Sequence, residues 1–152
     1  MLRHATINKK NMTLYESSIY AGLKRLIKLI YTAKFLSTKA DRINYIEPNI
    51  RYLEKSLCKY IMAYNCQDKR RDYMDECIGA FGVFRVLFEQ NRERGVIHFI
   101  RKKDKDGKII EGNEGIPSEE IEIIELIGRV DNDMSKYRLS LSKGKTIIDD
   151  KR

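Results

Sequence analysis

The sequence predicts an all-α protein, an up-down four-helix bundle with a small β-hairpin inserted between its third and fourth helices. Three observations carry this expectation. Apolar residues recur at intervals of three and four through most of the 152-residue chain. Only 2 prolines and 9 glycines punctuate it, too few for a sandwich or barrel with many tight turns. A composition of 42% hydrophobic and 34% charged residues suits one core with wet outer helix faces. The length is that of one domain. A tail is expected over 1–12, the bundle over 13–144 with the hairpin at about 96–111, and a second tail over 145–152.

The first helix opens at a capping box, Thr13 and Glu16, whose side chains satisfy backbone N–H groups of the first turn. Ile19, Leu23, Leu26, Ile27, Ile30 and Tyr31 then mark its buried face. The helix breaks at Phe35–Lys39, where Ser37 or Thr38 is available to cap the next one. In the second helix Ile43, Ile46, Ile50, Leu53, Leu57, Tyr60 and Tyr64 form a heptad-like seam. Pro48 falls inside it, so the helix either kinks there or starts at Glu47-Pro48. The unbroken apolar spacing favours one kinked helix.

Gln67–Arg71 connects to a third helix whose core face is Met74, Cys77, Ile78, Phe81, Phe84, Leu87 and Phe88. Gly79 and Gly82 are costly there, which predicts close approach of a neighbouring helix. Gly95 is the expected stop. The β-like run Val96–Ile100 and the run Lys108–Glu111 flank an Asp106-Gly107 pair, the signal for the hairpin. Ser118 caps the fourth helix, with Glu119 and Glu120 in its first turn. Ile121, Ile124, Ile127, Val130, Met134, Tyr137 and Leu141 form its expected stripe, and Gly144 its stop.

Convergent catalytic groups are missing from this pattern. The histidines are His4, in a tail, and His98, on the hairpin. No HExxH, CxxC, GxSxG or phosphate-cradling glycine loop occurs. Glu119, Glu120, Glu122 and Glu125 have no helical histidine to complete a carboxylate bundle site. Asp104, Asp106 and Gly107 lack the downstream ligands of a calcium loop. We therefore expect no enzyme activity, no metal and no cofactor. Cys58, Cys66 and Cys77 read as reduced thiols. With no apolar leader and no spanning segment, the expected location is cytoplasmic.

Charge is the informative feature. The net charge is +8. Residues 1–71 hold 15 Lys/Arg against 5 Asp/Glu, whereas residues 72–152 hold 15 against 17. Such asymmetry suits a protein with one polyanion-facing side. On the second helix Arg51, Lys55 and Lys59 recur every four residues, opposite the apolar seam, with Glu54 the one acid among them. Lys24, Arg25 and Lys28 lie off the stripe of the first helix. A solvated face is the plain alternative, but such faces ordinarily mix signs. Tyr52, beside Arg51, is the aromatic best placed to be exposed and to stack on an unpaired base. The candidate nucleic-acid contacts are thus Lys24, Arg25, Lys28, Arg51, Tyr52, Lys55 and Lys59.

The basic first helix pair, the third helix YMDECIGAFGVFRVLFEQ and the closing helix PSEEIEIIELIGRVDNDMSKYRLSL together resemble a known family. They are similar to the accessory variability determinants of diversity-generating retroelements, relatives of four-helix-bundle proteins encoded in ribosomal RNA intervening sequences. The resemblance spans most of residues 14–142 by pattern, and the hairpin departs from the family plan. It implies a non-catalytic, pentameric partner of a reverse transcriptase that also binds template RNA or cDNA. An oligomeric protein-interaction scaffold with no direct nucleic-acid role explains the seams equally well.

Overall fold

The computed structural model describes residues 14–34, 38–97, 103–112, 115 and 118–150. Four long helical rods make up the bundle. The first is α1 (Leu14–Lys34). The second runs without a break through α2 (Lys39–Asp41), a π-helical turn (Arg42–Ile46) and α3 (Glu47–Asn65). After a 3₁₀ turn at Gln67–Lys69 come α4 (Arg70–Arg94) and, past the connection, α5 (Ser118–Asp150).

Cross-helix contacts fix the direction of each rod. Tyr60 on α3 reaches the Glu16 carbonyl near the start of α1. Ser56 and Asn49 on α3 bond the carbonyls of Cys77 and Phe84 on α4, in descending against ascending order. Asp75, Arg85 and Arg92 of α4 pair with Arg138, Asp131 and Glu120 of α5. Ser18 and Arg25 of α1 pair with Asp133 and Glu122 of α5. Every neighbouring pair is antiparallel, the up-down arrangement.

Local chemistry explains the boundaries. The Thr38 hydroxyl accepts from the Asp41 N–H and caps the second rod. Gly95 ends α4 in the left-handed region (φ 71°). Its N–H bonds the Arg92 carbonyl, the Val96 N–H bonds the Asn91 carbonyl, and Val96 tucks into the bundle. Thr13 of the expected capping box lies outside the described residues.

Pro48 is absorbed by a wide turn. It cannot donate to the ladder, and its ring crowds the carbonyl four residues back. The π turn ends immediately before it, where the Glu47 N–H reaches the Arg42 carbonyl five residues away. One extra residue in that turn shifts the upstream phase by about 100°. Ile43, expected on the seam, is accordingly 51% exposed, while Ile46, Ile50, Leu53, Leu57 and Tyr60 are buried.

Four further expectations need correction. Among the described residues no strand forms in the 96–111 segment, and residues 98–102 lie outside them. A single antiparallel bridge, Lys103 to Ile109, closes a turn in which the Asp104 carboxylate accepts the N–H groups of Asp106 and Lys108. Ile109 is exposed, and among the described residues the pairing goes no further than this bridge, short of what an independent hairpin needs. Gly79 and Gly82 admit no close helix, since a Cβ built on either meets nothing within 4 Å. The close approach is at Gly22 on α1, where a Cβ would lie 2.4 Å from Val130 Cγ2 on α5.

On α5 the first two turns bury Ile123 and Leu126 and expose Ile121 and Ile124. Counting back from buried Val130 explains it: Ile123 is close to two whole turns away, Ile121 two and a half. The helix also runs through Gly144 to Asp150 rather than stopping at that glycine. A mid-helix glycine costs only about 1 kcal/mol. No described helix is long and apolar enough to cross a membrane.

Candidate nucleic-acid interface

The expected contacts occupy two adjacent rods, Lys24, Arg25 and Lys28 on α1 and Arg51, Tyr52, Lys55 and Lys59 on α3. Leu53, Leu57, Tyr60 and Ile61 turn one side of α3 into the core. At 100° per residue Arg51 and Lys55 then stand on the opposite side. Both are exposed, and among the described residues neither is ion-paired. On α1 the half-buried Tyr20, Ile27 and Tyr31 pack against the core, and exposed Lys24 and Lys28 lie just outside them. Tyr31 and Arg51 line one cleft of about 190 Å³ between the two rods. Glu47 and Glu54 also line it, so acids sit at the foot of the ridge. Burial, then these two carboxylates, hold the Tyr31 phenol above its ordinary pKa.

Two of the expected contacts are already engaged. Arg25 donates through Nε and Nη2 to the two carboxylate oxygens of Glu122, at 2.7 and 2.9 Å. This bidentate pair raises the arginine pKa and holds the Glu122 carboxyl below the ordinary carboxylate value. Lys59 leans toward α4, with Nζ 3.1 Å from Glu76 and 5.7 Å from the centre of the Tyr73 ring. Neither cation stands free for a phosphate. The fourfold spacing put Lys59 on the ridge, but the partners that claim these residues come from other helices.

Tyr52 is exposed as expected, and it is the one exposed aromatic among the described residues. It joins Pro48, Arg51 and Lys55 in lining an open concavity of about 470 Å³ on the outer face of α3. Sequence reasoning treated Pro48 only as a helix breaker. The spacing 48, 51, 52, 55 places it on that same face.

Cys77 is buried, its thiol pushed up to about 12 by desolvation, and it touches the Ser56 hydroxyl. Among the described residues no group of three or more His, Cys, Asp or Glu could hold a metal ion. No protein-family model, curated protein or solved structure matches the chain.

Proposed function

We propose that the protein is a non-catalytic basic accessory subunit that binds nucleic acid across the outer face of α1 and α3. By the resemblance, its setting is a diversity-generating retroelement, its partners a reverse transcriptase and template RNA or cDNA, and its assembly a homo-oligomer. One observation carries the nucleic-acid reading. Among the described residues Lys24, Lys28, Arg51 and Lys55 are exposed and in no ion pair, whereas Arg25, Lys59, Arg85, Arg92 and Arg138 are paired. Exposed cations that no carboxylate engages directly suit phosphate contact and counterion release. Sequence preference should be weak, because phosphate contacts position a ligand and do not read bases.

A second reading, the protein-interaction scaffold, is favoured by a different face. Gly79, Gly82, Val83 and Val86 run along the outside of α4, with Val86 58% exposed. This smooth uncharged strip suits a protein neighbour better than a phosphate backbone.

Salt-dependent binding separates the two. Four phosphate contacts predict a log–log slope for duplex of roughly −3 to −4. Arg51→Glu with Lys55→Glu should abolish most of that binding while leaving the fold intact, read by fluorescence anisotropy and circular dichroism. Wild-type affinity indifferent to salt, or a double variant that binds unchanged, would favour the scaffold.

A further inference from the structure

We infer that the concavity on the outer face of α3 seats one unpaired nucleobase, stacked on Tyr52, with its flanking phosphates on Arg51 and Lys55. The inference rests on the nucleic-acid reading above and narrows its ligand to a strand with at least one unstacked base.

The tyrosines differ in what covers their rings. Lys24 Nζ lies 4.9 Å from the centre of Tyr20, Arg94 lies 5.0 Å from Tyr45, and Lys59 lies 5.7 Å from Tyr73. Tyr60 and Tyr137 are in the core. Tyr52 is 37% exposed and, among the described residues, has no cation over its ring, although Arg51 and Lys55 stand on the same helix face. Its ring is therefore partly open to solvent, and among the described residues neither Arg51 nor Lys55 is in an ion pair. That combination is what an unpaired nucleotide requires: an aromatic platform for the base and positive charge for the backbone.

The remaining wall chemistry agrees. Pro48 adds an apolar ring one turn before Tyr52 and presents no N–H that would need a partner. The concavity, at about 470 Å³, falls within the ~300–1,000 Å³ range of small-ligand sites. No carboxylate lines it among the described residues. A paired base inside a duplex presents only its edges, so it offers the Tyr52 ring no face to stack on.

The test compares short fluorescent oligonucleotides of one sequence, single-stranded and as blunt duplex, in RNA and DNA forms. Wild type, Tyr52→Ala and Tyr52→Phe are titrated at several salt concentrations, with thermal melts to verify folding. Tyr52→Ala should weaken single-strand binding by roughly 5- to 150-fold, the loss of one stacked base. Duplex affinity should change by less than about twofold, and the salt slope should hold, because no charge is removed. Tyr52→Phe should bind as wild type. Equal losses on single strand and duplex, or no loss on either, overturn the notch while leaving nucleic-acid binding in place. Wild type that binds neither form overturns both readings.

Discussion

Tyr60 shows how one residue ties packing to pH. Its ring is buried on the core seam, and its hydroxyl donates to the Glu16 carbonyl at 2.8 Å. Burial first, and the nearby Glu16 carboxylate second, raise its phenol far above the ordinary value of 10.0. Tyr137, deep in the same end of the bundle, is pushed up to about 12, and so is the Cys77 thiol. In each case the folded chain holds the proton more tightly than the unfolded chain. The stabilisation is complete below the unfolded values of 9.0 and 10.0 and fades as pH climbs toward the folded ones. Urea midpoints should therefore hold steady through neutrality and fall steeply above about pH 10. Tyr60→Phe should cost about 1 kcal/mol at pH 7, one hydrogen bond, yet fall less steeply in alkali. An unchanged alkaline slope would assign the titration elsewhere.

At the scale of the helices, Gly22 is where α1 and α5 come nearest. Val130 is fully buried and β-branched, so it has little room to move from a methyl built 2.4 Å away. Gly22→Ala should destabilise by about 1–3 kcal/mol through overpacking. Gly79→Ala, exposed and free of neighbours, should stabilise by about 0.5–1 kcal/mol through helix propensity. Both are read from urea unfolding. Which glycine carries the close contact was not legible in the sequence, because IGAFG advertises its glycines and Gly22 sits quietly beside Leu23. The helices themselves were legible. The apolar stripe of α4 and its glycine stop follow from local periodicity and cap chemistry. The displaced Ile43 was hidden, since a π turn keeps the spacing of letters while rotating the face. On α5 the letters EIEIIELI offer an isoleucine on nearly every side, and only the neighbouring helices select Ile123 over Ile121.

For the whole molecule, the sign of each charge was readable but its partner was not. Arg25 and Glu122 are 97 residues apart, and nothing local to either announces the pair. The candidate face was thus anticipated as a ridge of cations, of which Arg51 and Lys55 remain open and Arg25 and Lys59 are claimed. If the proposed interface is correct, Glu122→Gln should release Arg25 to the surface beside Lys24 and Lys28. Nucleic-acid affinity should then rise at low salt, and the salt slope should steepen by roughly one unit. Arg25→Gln, which uncovers the Glu122 carboxylate beside the same cations, should instead weaken low-salt binding without steepening the slope. Anisotropy titrations of these two variants test whether the ion pair masks the arginine.

The polar side chains between α3 and α4 have a consequence for how the cations meet a ligand. Asn91, Asn49 and Ser56 each donate across the interface to a backbone carbonyl, of Tyr45, Phe84 and Cys77. Leucine and phenylalanine tolerate sliding, since a helix shifted by one turn still offers grease to grease. Directed donors do not, because the same shift strands all three at once, at about 1–3 kcal/mol for each. The two rods therefore behave as a key cut to a single depth. Arg51 and Lys55 ride on one of them, so their height along α4 is stamped into the core, and in the proposed complex it is the flexible polyanion that bends to the protein.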